Sequence, residues 1–255
     1  MAKLYFKYGS MGPSKSAQAL ITKFNYEERG MKVWLIKPAL DDRDGVTILR
    51  SRIGLTAEAN VIAAGDDVAA RWRAESRSDV IIADEAQFLT PEQIEQLREL
   101  VDEEDIPVLC FGLRTDFRTK LFPGSARLLE LADSITEIKT ICDCGAKATV
   151  NARIGGDGYI ITEGEQVFLG GNDCYIAMCH RCYIKGIEEH KKIKNTKFIY
   201  STSCFFDSFN NMFLKSFIPS GSSPLVGSSR ISILGSLNNA YAIPSLSFIP
   251  SEYFD

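Results

Sequence analysis

The sequence predicts an α/β domain built on a parallel sheet, followed by a small metal-tied β module. Three observations predict it. Five short apolar runs alternate with helix-periodic segments, the pattern of strands buried on both faces and joined by covering helices. The candidate ligand motifs of this part fall directly after those runs, where such sheets bind ligands. Beyond residue 140 the periodicity changes, and four cysteines fall in two close pairs.

The first run, Leu4–Tyr8, leads into Gly9, Ser10, Met11, Gly12, Pro13, Ser14, Lys15 and Ser16, and Ser14–Phe24 has helical apolar spacing. Strand, tight loop ending in Lys-Ser, then helix is the architecture of a phosphate-binding loop. Backbone N–H groups and the helix N-terminus face the phosphates. The Lys adds a point charge toward the β- and γ-phosphates, and the Ser hydroxyl holds Mg²⁺. Gly9, Lys15 and Ser16 fit G-x-x-x-x-G-K-[ST]; Ser14 replaces the second glycine, and Pro13 removes a backbone donor. The expected fold is therefore a P-loop NTPase-like parallel sheet flanked by helices.

The second run, Val33–Ile36, precedes Asp41-Asp42-Arg43 and Ser51-Arg52-Ile53-Gly54. These charges either manage metal and phosphate charge or form a solvated loop. Asp66–Glu75 reads as a helix. The third run, Val80–Ala83, ends in Asp84-Glu85-Ala86-Gln87-Phe88, a Walker B arrangement in which one carboxylate holds Mg²⁺ and its neighbour acts as a base. Thr90–Val101 is the clearest helix: Thr90 is an N-cap, Pro91 suits the first turn and Gln93 completes a capping box. Ile94, Leu97, Leu100 and Val101 then share one face. The fourth run, Val108–Gly112, contains Cys110, a small buried hydrophobe. Its following loop carries Arg114, Phe117 and Arg118 and either contacts a nucleotide or is solvated around one buried Phe. Ile135–Ile138 is the fifth buried run.

Cys142-Asp143-Cys144-Gly145 and Cys179-His180-Arg181-Cys182 read as two knuckles of a Cys₄ zinc ribbon, with His180 a weaker ligand candidate and Cys174 unpaired. The glycine-punctuated loop Tyr159–Tyr175 between them is tied at both ends and suits closure over a ligand. Seven cysteines, an odd number, argue for a metal site over a disulfide framework. A formal net charge of −4 gives no basic footprint for nucleic acid. No secretory pattern or membrane-length apolar run is visible, so a cytoplasmic protein is expected. The organisation expected is a 1–140 phosphate-loop α/β domain, a 141–194 zinc-binding domain whose loop closes over a ligand, and a 195–255 Ser/Phe-rich, low-charge extension outside the core.

This ordered set of residues resembles the zinc-containing thymidine kinase family, in its bacterial branch. The resemblance covers roughly 1–193. It rests on Leu4-Tyr5-Phe6 before the phosphate loop, Asn25-Tyr26 with Glu28-Arg29-Gly30, Asp41-Asp42-Arg43, and Ser51–Leu55. It continues through Asp84–Leu89, Asp105–Arg118 and Lys139–Gly145, and ends with Glu163–Val167, Gly170-Gly171-Asn172 and Tyr175.

The resemblance implies transfer of the γ-phosphoryl of ATP to the 5′-hydroxyl of thymidine. Glu85 matches the general base. Ser16 and Asp84 match the Mg²⁺ site, and Lys15 the group that neutralises β/γ-phosphate charge. Gly9–Ser16 and Asp84–Gln87, with Ala86 included, match the nucleotide-binding segments. Phe117 matches the aromatic residue on the thymine. Gln166, Val167, Phe168, Leu169 and Gly170 match the backbone segment that hydrogen-bonds the base, and Tyr175 the lasso tyrosine. Cys142, Cys144, Cys179 and Cys182 match the structural zinc ligands. A homotetramer inhibited by dTTP is also implied. The departure is Ser14 in place of glycine, where a side chain is expected to strain the backbone or crowd phosphate. It leaves a second reading, a family member that binds thymidine or dTTP without turnover. A zinc-ribbon nucleic-acid binder is disfavoured by the acidic balance.

Overall fold

The computed structural model describes residues 1–12, 14–41, 45–167 and 174–193. All of them belong to one compact unit, Met1–Ser203; the second unit, Cys204–Asp255, and the expected 195–255 extension lie outside the described residues. The order is β1 (Leu4–Gly9), α1 (Lys15–Glu27), β2 (Val33–Pro38), β3 (Ile48–Arg50), β4 (Thr56–Glu58), β5 (Asn60–Ile62), α2 (Val68–Arg71), β6 (Val80–Ala83), α3 (Pro91–Glu104), β7 (Val108–Gly112), α4 (Pro123–Leu131) and β8 (Ser134–Ile138). Then follow β9 (Thr140–Ile141), β10 (Lys147–Ala148), β11 (Val150–Ile154), β12 (Ile160–Ile161), β13 (Tyr175–Met178) and a helix, α5, over 180–193.

Six strands form one parallel sheet in the order β5-β2-β6-β7-β1-β8. Alternate residues of each strand face opposite sides. On one side Phe6, Ile36, Ile81 and Cys110 pack with Ile94, Leu97, Leu100 and Leu128 from α3 and α4. On the other, Leu35, Ile82, Leu109 and Phe111 meet Ala19 and Leu20 of α1. Each large side chain withdrawn from water in this way stabilises the fold by about 1.5–3 kcal/mol. The Cys110 thiol is fully buried, and burial pushes its pKa up to about 12, which makes it inert.

Several expectations are met in detail. Thr90 Oγ1 accepts from Gln93 N, and the Gln93 side chain accepts from Thr90 N, a complete capping box. Others are corrected. The fifth run is an edge strand, not a buried one: β8 pairs with β1 alone in the sheet order, and Ile135 is 45% exposed. The helix read at Asp66–Glu75 is a single α turn, α2, capped by Asp67, that widens into a π-helical turn at Trp72–Ser76. That widening buries Trp72, whose Nε1 donates to Ser78 Oγ at 2.9 Å. The sixth strand, β5, and the helix α4 were not read from the sequence. Both are short, and α4 begins at Pro123-Gly124, a dipeptide that reads as a turn.

Gly124 is required by packing. A Cβ there would lie 2.5 Å from Leu89 O, 2.8 Å from Ala86 O and 3.0 Å from Gln87 O. These carbonyls belong to the turn that follows Glu85. Gly124→Ala is expected to destabilise the protein by about 1–3 kcal/mol, the usual cost of overpacking. An unchanged urea midpoint would refute this. Among the described residues no helix is long and apolar enough to cross a membrane.

Candidate active site

The strand order decides the site. Strands β6, β7 and β1 are neighbours, so the loops that leave their carboxyl ends lie side by side. These loops are Asp84–Phe88, Leu113–Phe122 and Gly9–Ser16. They meet at a cleft of about 320 Å³. Its lining includes Met11, Gly12, Lys15 and Ser16 of the first loop, Glu85 and Gln87, and an aromatic part with Phe117, Gln166, Val167 and Tyr175. Gly9, Ser10, Ser14, Asp84 and Ala86 are not part of that lining. Pro13, Phe168, Leu169 and Gly170 lie outside the described residues.

Lys15 opens α1, and its buried Nζ donates to Ser10 O at 2.6 Å, which curls the loop around the ammonium. Gly9 is demanded by close packing, since a Cβ would meet Ile138 O at 2.6 Å. Ser14 has φ −97° and ψ −25°, a conformation open to any L-residue. The expected backbone strain at Ser14 is therefore absent.

Asp84 is buried, and its Oδ2 has no hydrogen-bond partner among the described residues. Loss of water, with the adjacent Glu85 charge, pushes its carboxyl up to about 7, partly offset by a hydrogen bond from Ser16. A buried orphan carboxylate oxygen beside a hydroxyl suits a hard divalent cation, which would favour the ionised form. Glu85 itself sits in the left-handed region, φ 49° and ψ 38°. For a non-glycine residue this costs about 1–3 kcal/mol and is held by its surroundings. Gln87 supplies part of that hold. Leu113 N–H is only a donor, so it fixes Gln87 Oε1 toward itself at 2.9 Å. The Nε2 then faces Glu85 and donates to its Oε2 at 2.5 Å.

At the aromatic end Phe117 is buried. The Arg153 guanidinium lies 3.8 Å from its ring centroid, and Arg153 Nε donates to Tyr175 Oη at 2.9 Å. Tyr183 Oη donates to Phe117 O at 2.8 Å. Gln166 Nε2 donates to Asp116 Oδ2 at 3.2 Å, so its segment is tied to the loop after β7. Lys37, fully buried, donates to Gly45 O and Ile48 O at 3.0 Å and stands 3.8 Å from Asp41 Oδ2, anchoring a segment whose Asp41 lines the cleft. Sequence reasoning passed over Lys37, Asn151, Arg153 and Tyr183. They lie in strands or a helix, and nothing local distinguishes them from surface or core residues.

Cys142, Cys144, Cys179 and Cys182 form one group, with all four Sγ atoms within 4.8 Å of one another; His180 is not part of it. The Cys144 and Cys179 sulfurs are 3.6 Å apart. Zinc with bonds of about 2.3 Å separates its sulfurs by about 3.8 Å in a tetrahedron. Backbone N–H groups of Cys144 and Cys179 bring the Cys142 thiol down to about 7, whereas hydrogen bonds with Cys144 and Cys179 push Cys182 up to about 12. Four sulfurs converging at this spacing suit a soft cation that binds them as thiolates, and zinc fits that donor set.

The family model for thymidine kinase matches residues 2–183. A thymidine kinase of Chromobacterium violaceum is 50% identical over 183 residues, which cover 72% of this chain and 98% of that protein. One from Jannaschia sp. is 45% identical over 190 residues, with 73% and 97% covered. One from Legionella pneumophila subsp. pneumophila is 46% identical over 210 residues, with 80% of this chain and 100% of that protein covered. With its phosphate loop, Walker B carboxylates and cysteine cluster arranged as described, the chain belongs to the thymidine kinase family.

Proposed function

We propose that this chain is an ATP-dependent thymidine kinase, which transfers the γ-phosphoryl group of ATP to the 5′-hydroxyl of thymidine and yields dTMP and ADP for DNA synthesis. The observation that carries this reading is the single cleft in which the Lys15 loop, Glu85 and Phe117 meet. Phosphates occupy the Gly9–Ser16 end, with Asp84–Gln87 behind them. The thymine packs on Phe117, and the Gln166–Gly170 segment hydrogen-bonds its edge through the backbone. Tyr175 closes over the nucleoside. Glu85 takes the proton of the 5′-hydroxyl as that oxygen bonds to the γ-phosphorus and the bond to ADP breaks. Lys15 draws off charge that develops on the phosphate oxygens. Ser16 and Asp84 are the residues that would hold Mg²⁺, which would supply positive charge to offset that of the phosphates. Cys142, Cys144, Cys179 and Cys182 hold a structural zinc ion that fixes the base of the lasso.

By the same family likeness we assign a cytoplasmic homotetramer inhibited by dTTP, an α/β domain over 1–140, a lasso domain over 141–194 and an extension over 195–255 that the catalytic unit does not need. The test of function is ATP- and thymidine-dependent formation of dTMP by the purified chain, with Ser14→Gly assayed beside it. The parent chain is expected to turn over. Because Ser14 is unstrained, Ser14→Gly is expected to change kcat by less than about tenfold and to lower stability by a few tenths of a kcal/mol. No dTMP from either protein, with zinc and thymidine bound, would leave the binding-only reading. A large gain in Ser14→Gly would show that the serine side chain crowds phosphate.

A further inference from the structure

Asn151 joins three parts of the site that the chain keeps far apart in sequence. It lies in β11, within the zinc-tied module, and is 3% exposed. Its Oδ1 accepts from Met11 N, in the phosphate loop, at 2.6 Å. Its Nδ2 donates to Thr115 O at 3.2 Å, two residues before Phe117. The amide orientation is unambiguous, because Met11 N–H is only a donor and Thr115 C=O only an acceptor. Two residues along the same strand, and so on the same face, Arg153 covers the Phe117 ring and donates to Tyr175. One face of β11 thus touches the phosphate loop at Asn151 and the aromatic end of the cleft at Arg153. A second tie, Ser10 Oγ donating to Ala148 O at 2.9 Å, runs beside the first. Met11 N–H, counted among phosphate-facing groups by the loop pattern, is directed at this side chain.

We propose that Asn151 is a positioning residue that couples nucleoside binding to the geometry of the phosphate loop. A nucleoside held against Phe117 and Tyr175 orders β11 further through Arg153, which contacts both. The Asn151 amide passes that order to Met11 and Thr115 through two hydrogen bonds, the one to Thr115 buried and the one from Met11 partly buried. Binding of one substrate then favours binding of the other, and the effect is reciprocal. This inference rests on the thymidine kinase reading.

The experiment measures the affinity of the full zinc-loaded chain for a non-hydrolysable ATP analogue, by calorimetry, with and without saturating thymidine. In the parent chain thymidine should tighten the analogue by about fivefold or more, the lower end of ordinary couplings. Asn151→Ala should bring that ratio to about 1 and lower kcat by up to about 10²-fold, the scale of a 1 Å misplacement, with the affinity for thymidine in the absence of the analogue little changed, since reciprocity removes only the mutual tightening. Asn151→Asp is isosteric. It keeps an acceptor for Met11 N–H but sets an oxygen against Thr115 O. Its charge weakens the analogue alike in both states and cancels in the ratio, which should again fall to about 1. A parent-like ratio in either variant overturns the proposal, as does loss of folding in both, which would make Asn151 merely structural. A parent chain that binds both ligands without coupling overturns it too, and leaves the kinase reading standing. A parent chain that binds neither ligand removes the kinase reading and this inference together.

Discussion

Glu85→Gln is expected to lower kcat by about 10²–10⁴-fold, the usual contribution of a positioned base in proton transfer. Thymidine affinity should stay near that of the parent chain. The substitution keeps the side chain's shape and an oxygen that accepts from Gln87 Nε2, as Glu85 Oε2 does. It removes the capacity to take a proton, together with the negative charge that helps push the adjacent Asp84 carboxyl up. The backbone strain should persist, because glutamine at φ 49° carries the same left-handed strain as glutamate. Glu85→Gly should behave differently, relieving that strain and raising stability while abolishing turnover. Paired thermal melts and single-turnover assays check both statements. A Glu85→Gln enzyme with parental kcat would remove Glu85 from the role of base. A Glu85→Gly protein less stable than the parent would remove the strain account.

Removal of zinc is expected to abolish thymidine binding, and Cys142→Ser or Cys179→Ser should do the same. The physical reason is the size of the module. Its two apolar clusters centre on Val150, Ala152, Ile160 and Tyr183, and on Cys142, Ala148 and Cys179. So few buried residues do not offset the conformational entropy of ordering the segment, and small domains of this kind depend on a metal. Cys179 precedes α5 and Cys182 lies in its first turn, and Tyr183, which follows them, holds the Phe117 carbonyl. The same module carries Arg153 across the Phe117 ring. Loss of the metal therefore releases the aromatic end of the cleft from two directions. The six-stranded sheet has its own core on both faces and should persist, so circular dichroism of the chelated protein should retain most of its signal. Metal analysis of the native protein should give about one zinc per chain, as one Cys₄ site requires. A metal-free chain that binds thymidine normally would refute this account.

The sequence by itself determined the elements with strong local signals. Runs such as Val80–Ala83 and Val108–Gly112 are apolar throughout because both sheet faces are covered, and each is a central strand. The α3 cap is a local hydrogen-bond arrangement, so Thr90-Pro91 and Gln93 sufficed to place it. The order of the ligand motifs, Lys15 to Ser16, Asp84 to Glu85, Phe117 and the two cysteine pairs, carried the family resemblance. Short elements were poorly legible: β5, three residues long, was not read, and the helix read at Asp66–Glu75 is one α turn, α2, followed by a π turn. Their conformation is set by pairing with β2 and by burial of Trp72, which are long-range effects.

Only the tertiary structure decided what surrounds the motifs. Ser14 looked strained by comparison with a glycine pattern, yet its negative φ makes it ordinary, and the strain sits at Glu85 instead. No local pattern marks φ at a single residue. Nor does any pattern announce Asn151, Arg153 or Tyr183, since each acts across tens of residues through one or two hydrogen bonds or ring contacts, or Lys37, whose partners lie on the segment after its own strand. The chemistry was written in short stretches of chain that keep their meaning in isolation. The support for that chemistry depends on which strands become neighbours, and that is settled only when the sheet and the zinc-tied module close on each other.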